Sequence, residues 1–206
     1  MNGISRPAIG AVALIALIAS LALAGDTAAE TRGPVPSASG RAAFAIASRS
    51  VADGARLANL RHVYDKHGCG GANVSPEISW SGAPGGTRSY AVTLFDPDAR
   101  AGKGWWHWVV VNIPASVTHL AEGASGHLMP DGSVEGMTDF GTPGYQGPCP
   151  PPGDGIHHYV LTVHALGETS LPVDREMPVA EAALAIRDHA LASASLTFLY
   201  GRHTAE

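Results

Sequence analysis

Residues 90–114, YAVTLFDPDARAGKGWWHWVVVNIP, hold two apolar runs on either side of a polar loop. The runs, 90–95 and 108–113, are each as long as a buried strand, and Pro114 closes the second. Residues 97–106 between them are numerous enough for a long hairpin loop. The stretch therefore predicts two neighbouring strands that pair antiparallel.

Polar side chains lie at the loop ends of this predicted hairpin. Asp96 ends the first strand and His107 begins the second, so antiparallel pairing places a carboxylate near an imidazole. Alternation along the second strand puts Trp108 on the face opposite His107, which favours Trp108 as a core residue. The hairpin thus predicts a polar site at one end of an apolar sheet.

A segment rich in glycine and proline, 141–155, precedes a third apolar run. Its prolines are too stiff and its glycines too permissive for regular structure, so we expect an irregular loop of defined shape that forms a wall at this end of the sheet. The run that follows, 158–166, alternates in part as a strand does. With a period of two, His157 and Tyr159 share one face and His158 points to the other.

The remaining periodic segments predict one more strand, 196–200, and one helix, 179–192. Pro178 suits the first helical turn, and Glu181 complements the helix dipole. The apolar stripe of this helix is formed by Val179, Ala182, Ala183, Ile186 and Ala190. Together these elements predict a mainly β domain, β-rich α+β and consistent with a sandwich, with a peripheral helix near the C-terminus.

The first residues predict an export signal. Arg6 is the only charged residue before Asp26, and residues 8–24 are almost entirely Ala, Leu, Ile and Val, with a small-residue cleavage pattern before Gly25. As a helix this run spans about 25 Å, short of the roughly 30 Å of a hydrocarbon layer. We therefore assign 1–24 to a cleaved signal peptide, 25–41 to a flexible spacer and 42–206 to the folded domain. The protein is then periplasmic or secreted with no membrane span after cleavage; the alternative is a retained N-terminal membrane anchor.

Charge and cysteine content narrow the function classes. The 13 Lys and Arg against 18 Asp and Glu give a net charge of -5, with no clustered basic surface, so no nucleic-acid partner is expected. In an oxidising compartment the two cysteines, Cys69 and Cys149, predict a disulfide. The alternative is a reactive Cys149 thiol with His157 as its base.

Four motifs carry a family resemblance. They are CGGANVSPEISW at 69–80, LFDPDA at 94–99, WWHWVVVN at 105–112 and PPPGDGIHHY at 150–159. In this order they resemble the phosphatidylethanolamine-binding protein (PEBP) family, the Raf kinase inhibitor-like proteins, and within it the bacterial YbhB/YbcL branch. The resemblance implies a Greek-key β-sandwich with a small anion pocket at one end.

The resemblance also implies which residues form the pocket. The pocket aspartate of the family corresponds to Asp96, and its two pocket histidines correspond to His107 and His157. The lining aromatic and proline positions fall on Trp105, Tyr145, Pro150, Pro151 and Tyr159. Arg100 stands where the family often has proline, and it would add a cation at the mouth of the pocket.

These residues support one preferred function and two alternatives. Two imidazoles and a tyrosine hydroxyl can donate to the oxygens of a phosphate group, which predicts an exported binding protein for a small anionic or phosphate-bearing ligand. No catalysis, cofactor or metal is expected. The first alternative is an interaction module, in which the loops around the pocket inhibit a protease or kinase partner. The second is a metal-dependent or acid–base hydrolase that uses Asp96, His107 and His157.

Overall fold

The computed structural model describes residues 43–203. The predicted signal peptide, 1–24, and the predicted spacer, 25–41, lie outside the described residues. Within residues 43–203 no helix is both long and apolar enough to cross a membrane.

Eight strands and two short helices make up this region. In chain order they are β1 (Ala45–Ala47), β2 (Ile78–Ser81), β3 (Ser89–Asp96), α1 (Ala99–Gly102), β4 (Trp105–Pro114), β5 (His119–Leu120), β6 (Val134–Glu135), β7 (Ile156–Leu166), α2 (Val179–His189) and β8 (Ala190–Gly201). The mainly β class predicted from the sequence is therefore confirmed.

The strands form two antiparallel sheets. The larger has five strands in the order β6-β4-β3-β7-β8, and the smaller has three in the order β1-β2-β5. Strands β3 and β4 pair from Ser89 opposite Pro114 to Asp96 opposite Trp105, which confirms the predicted hairpin. Strand β7 lies on the other side of β3 and also runs antiparallel to it. The three strands that carry the predicted polar residues are thus adjacent.

The main core lies between the two sheets. The large sheet contributes a face of buried side chains, and the small sheet covers it with Ile78, Trp80 and Leu120. Burial of these side chains is the main stabilising contribution to the sandwich. The buried residues of the large sheet in this core are Tyr90, Val92, Leu94, Trp108, Val110, Tyr159, Leu161, Val163, Ala165, Leu196 and Phe198.

Helix α2 covers the opposite face of the large sheet. Its buried residues, Ala182 and Ile186, pack with Val109 and Val111 of β4. This is the peripheral helix predicted near the C-terminus. The predicted end of the helix is wrong, because α2 stops at His189 and residues 190–192 already belong to β8. In β8 the exposed fraction alternates with a period of two, so burial on the sheet outweighs the high helix propensity of alanine there.

A β-bulge interrupts the pairing of β3 with β4 at His107. Leu94 pairs with Trp108 and Phe95 pairs with Trp106, so His107 has no partner on β3. An inserted residue of this kind breaks the alternation of side chains along a strand. His107 consequently points to the same side as Trp108 and packs its ring against Tyr159, which overturns the predicted opposite orientation of His107 and Trp108.

The outer edge of β8 is bonded to a loop segment near the start of the described chain. The N–H of Gly54 donates to the carbonyl of Thr197 over 2.7 Å, and the N–H of Leu57 donates to the carbonyl of Leu199 over 2.9 Å. In return the N–H of Leu199 donates to the carbonyl of Ala55 over 2.8 Å. The other edge strand of the large sheet, β6, is two residues long.

Candidate functional site

A cavity of about 240 Å³ opens where β3 ends and where β4 and β7 begin. It therefore lies at the loop end of the hairpin, as the sequence predicts. Its lining residues come from three strands and from the two loops that connect to them. They are Asp96, Ala99, Arg100, Trp105, His107, Phe140, Cys149, Pro150, Pro151, Asp154, His157 and Tyr159.

Asp96 is the buried acid of the cavity and organises two elements. Its Oδ1 accepts hydrogen bonds from the backbone N–H groups of Asp98, over 2.9 Å, and Ala99, over 3.1 Å. Its Oδ2 lies 2.8 Å from Nδ1 of His157. One carboxylate therefore holds both the turn after β3 and the imidazole at the start of β7.

His157 is buried between two carboxylates. Besides the Nδ1 contact with Asp96, its Nε2 lies 3.3 Å from Oδ2 of the more exposed Asp154. Both ring nitrogens of His157 therefore face a carboxylate. The sequence did not single out Asp154, although its position three residues before His157 is the signal that could have found it.

His107 occupies the bulge and is buried as well. Its Nδ1 lies 2.7 Å from the carbonyl oxygen of Gln146, and because a carbonyl only accepts, Nδ1 carries a proton. Burial lowers the pKa of His107 from 6.5 to about 4, although the Gln146 carbonyl and the Asp96 charge act in the opposite direction. The ring is therefore neutral near pH 7, and Nε2 presents a lone pair. In this form His107 offers an acceptor at Nε2, whereas the sequence predicts a donor there.

The depressed pKa of His107 gives a stability prediction. Between about pH 6.5 and pH 4 the unfolded imidazole binds a proton that the folded one excludes. We therefore expect the free energy of unfolding to fall as the pH is lowered through this window. Urea unfolding at several pH values tests this. The variant His107→Gln is expected to make the profile shallower and to leave the part due to His164, whose pKa burial also lowers to about 4. An equally steep profile in that variant would contradict the assignment.

Two buried donors of the cavity wall lack a hydrogen-bond partner. They are the Tyr159 hydroxyl and the Trp105 Nε1–H group. Residues 43–203 contain one more such atom, Trp80 Nε1, which lies in the main core and not at the cavity. Burial raises the pKa of Tyr159, and the charge and the acceptor oxygens of the neighbouring Asp96 carboxylate act in the same direction, so its hydroxyl stays protonated. The contact with Asp96 is too long or too poorly aligned to be a normal hydrogen bond. Buried donors normally have partners, which makes this pair unusual.

Arg100 supplies a cation at the cavity. It lies in α1, where Arg100 and Ala101 have left-handed φ values of 54° and 55°. Non-glycine residues adopt this region infrequently, and at a cost. The guanidinium carbon lies 5.1 Å from the centroid of the Trp105 ring, within reach of a cation–π interaction. The cation implied at the mouth of the pocket is thus part of the cavity lining.

The glycine- and proline-rich segment is tied to the loop before β2. A disulfide joins Cys69 to Cys149 with 5.8 Å between the Cα atoms, so the predicted pairing is present. The described chain has no free cysteine, and this overturns the alternative of a reactive Cys149 thiol. Asn73 adds two hydrogen bonds, donating to the carbonyl of Tyr145 over 3.1 Å and accepting from Gly147 N–H over 2.8 Å. Pro150 and Pro151 are thereby held against the cavity.

Comparison with known proteins places this architecture in a family. The family model described as phosphatidylethanolamine-binding protein matches residues 47–201. The chain belongs to the phosphatidylethanolamine-binding protein family. The PEBP match includes strands β2 to β8 and the last residue of β1. It also includes every residue that lines the cavity.

Three comparisons show how near the PEBP relatives are. The UPF0098 protein YbcL of Escherichia coli is 45% identical over 162 residues, 77% of this chain and 88% of its own. The UPF0098 protein YbhB of the same organism is 44% identical over 157 residues, 75% of this chain and 98% of its own. The crystal structure of E. coli YbcL, described as a new member of the mammalian PEBP family, superposes with a TM-score of 0.75 over 78% of this chain and 99% of that one.

One of the pocket positions implied by the PEBP resemblance lies elsewhere. Tyr145 is buried in the main core, where its ring stands edge-on to Trp108 at 5.6 Å. Its hydroxyl donates to the carbonyl of His62 over 2.7 Å. Tyr145 therefore lies outside the cavity lining, and its hydroxyl is hydrogen-bonded within the core. The other seven, Asp96, Trp105, His107, Pro150, Pro151, His157 and Tyr159, all line the cavity.

Phe140 is a lining residue that the sequence did not reveal. Its ring contacts His107 at 5.3 Å and Trp105 at 5.4 Å, so it packs two pocket residues against each other. It follows Asp139, whose carboxylate accepts a hydrogen bond from Trp106 N–H over 2.7 Å.

Within residues 43–203 no three His, Cys, Asp or Glu side chains are arranged to hold a metal ion.

Proposed function

We propose that this PEBP-family chain is an exported binding protein for small anions, including phosphate head groups, and that its cavity is not catalytic. The observation that carries the proposal is the pair of buried donors, Tyr159 Oη and Trp105 Nε1, which have no partner among residues 43–203. A bound anion would supply the missing acceptors. Binding would thereby remove an unfavourable feature of the free protein.

Arg100 and the size of the cavity support the same proposal, and Arg100 balances part of the negative charge of the lining carboxylates Asp96 and Asp154. Arg100 contributes a cation at the cavity, and the volume of about 240 Å³ matches a head group better than a whole lipid. Asp96 would act on the ligand indirectly, by fixing His157. The lining residues include no serine, no threonine and no free cysteine, so the cavity wall offers no serine, threonine or cysteine nucleophile.

Export is supported by the sequence and by one relative. Residues 1–24 have the pattern of a signal peptide, and a disulfide persists best in an oxidising compartment. LppC of Mycobacterium tuberculosis, whose name describes it as a lipoprotein, is 36% identical over 155 residues, 74% of this chain and 66% of its own. We infer from these observations that the domain works outside the cytoplasm.

A titration with phosphoethanolamine tests the binding function. Histidine imidazole NMR signals are recorded as the ligand is added, and we expect His107 and His157 to shift. His164 serves as an internal control, because it is bonded to Thr93 and Ser193 and is not part of the cavity lining. Shifts that are absent, or that are shared equally by His164, would contradict the proposal.

The variant Tyr159→Phe tests the buried donors directly. Removing the hydroxyl deletes one hydrogen bond to the anion, so we expect the affinity for phosphoethanolamine to fall about tenfold. Stability is expected to change by less than about 1 kcal/mol, because the lost hydroxyl makes no close hydrogen bond in the free protein and has only the neighbouring Asp96 carboxylate to interact with. Calorimetric titration and thermal unfolding measure the two effects.

Tyr145→Phe is the matched control for this prediction. The same atom is removed from a second buried tyrosine, but here it leaves the His62 carbonyl without its donor. We expect a loss of about 1 to 2 kcal/mol in the free energy of unfolding and an unchanged anion affinity. If both variants lose affinity equally, the role assigned to Tyr159 is wrong.

A further inference from the structure

Side chains that can accept hydrogen bonds line the cavity, among them Asp96, His107 and Asp154. We propose that the cavity selects an oxyanion that carries its own proton, such as the monoanion of a phosphomonoester, over an unprotonated anion of the same charge and shape. This inference rests on the proposed anion-binding function and names the form of the ligand that the site takes.

The first observation is the orientation of His107. Its Nδ1–H group is bonded to the Gln146 carbonyl, which leaves Nε2 as the free nitrogen. His107 lines the cavity, and within residues 43–203 no hydrogen bond to Nε2 competes with a ligand. A neutral imidazole in this tautomer accepts a hydrogen bond at Nε2 and cannot donate one there. The ligand must therefore bring the proton.

The second observation is the acid content of the cavity. The buried carboxylate of Asp96 and the more exposed carboxylate of Asp154 both line it, and both only accept hydrogen bonds when ionised. A ligand that offers acceptor oxygens alone meets the negative charge of these two carboxylates and leaves His107 Nε2 without a donor. Like charge and this one unpaired acceptor disfavour such a ligand.

The donors in the cavity match only part of a phosphate group. Tyr159 Oη, Trp105 Nε1 and the Arg100 guanidinium can donate to ligand oxygens. One P–O–H group can then donate to His107 Nε2. The titratable and charged groups that face His107 from the surrounding elements are Asp96, Arg100, Asp139, Asp154, His157 and Tyr159.

Two ligands of equal charge, of which only one carries an O–H group, separate the effect of the ligand proton from the effect of the ligand charge. Near pH 5, methyl phosphate is mainly a monoanion with one O–H group, whereas methyl sulfate is a monoanion without one. We expect calorimetric titration of the full chain at pH 5 to show methyl sulfate binding at least about 100-fold more weakly, because a site built around a ligand O–H rejects the analogue that lacks it. This comparison needs no variant protein.

The pH dependence gives a second readout. The second pKa of a phosphomonoester is about 6, so the monoanion is about 100-fold scarcer at pH 8 than at pH 5. We expect the affinity for methyl phosphate to fall by about that factor over the same range. The ¹⁵N imidazole shifts of His107 should report the neutral Nδ1–H tautomer throughout.

The variant His107→Gln tests the proposed acceptor. An amide can turn either its oxygen or its N–H group to the ligand, so we expect the preference for methyl phosphate over methyl sulfate at pH 5 to shrink at least about tenfold. Equal binding of the two ligands by the natural chain, or tighter binding of methyl phosphate at pH 8, would overturn the inference and leave the anion pocket standing. Binding of neither ligand at pH 5 would overturn the inference and the proposed function together.

Discussion

Removal of the Cys69–Cys149 disulfide is expected to lower the free energy of unfolding by about 4 kcal/mol and the melting temperature by about 10 °C. The bond joins residues 80 positions apart, so it greatly restricts the unfolded chain. It also restrains the cavity, because Cys149 and the two prolines after it line the wall. We therefore expect weaker binding of phosphoethanolamine in addition to the loss of stability.

Urea unfolding of the double variant Cys69→Ala/Cys149→Ala, compared with the oxidised natural chain, measures the effect. The chain has only these two cysteines, so a reductant offers an independent control. It should destabilise the natural chain by the same amount and leave the double variant unchanged. A difference below about 1 kcal/mol would show that the bond adds little to the contacts made by Asn73 and the core.

Asp96→Ala is expected to cost about 3 to 5 kcal/mol in the free energy of unfolding and to abolish anion binding. The substitution leaves two backbone N–H groups of the following turn without an acceptor. It also removes the carboxylate that faces buried His157. All three groups lose the same partner, so the effect exceeds that of one ordinary hydrogen bond.

Asp96→Asn separates the two roles of this residue. The amide oxygen can keep both backbone hydrogen bonds, so we expect a loss of only about 1 to 2 kcal/mol. The amide N–H₂ group must then face His157 Nδ1 and favours the tautomer with its proton on Nε2. Imidazole ¹⁵N shifts detect this change. A variant as unstable as Asp96→Ala would show that the charge, not the turn, dominates the stability.

Much of the site follows from the period of the strands. The apolar runs of the β3–β4 hairpin predict that Asp96 and His107 approach each other, and alternation along β7 predicts that His157 and Tyr159 share a face. The orientation of Trp108 relative to His107 did not follow, because a bulge depends on the pairing between two strands and not on the pattern within one. Tyr145 and Phe140 lie in irregular segments, where no period indicates which way a side chain points.

The boundary between α2 and β8 shows a second limit. Alanines continue from the helix into the strand, and they are short enough to fit either structure. Only the pairing of β8 with β7, from Ala190 opposite Leu166 onward, fixes where the helix must end. Contacts made across the fold therefore decide this boundary.

The loop segment bonded to the outer edge of β8 affects how the molecule behaves at high concentration. A long edge strand offers free N–H and C=O groups on which the strand of another molecule can pair, and such pairing begins many aggregates. Here the segment around Ala55 already occupies the backbone groups of Thr197 and Leu199. At the opposite edge β6 is too short to serve as a template. The described fold thus blunts the short edge at β6 and the part of the β8 edge around Thr197 and Leu199 against strand-to-strand association between molecules.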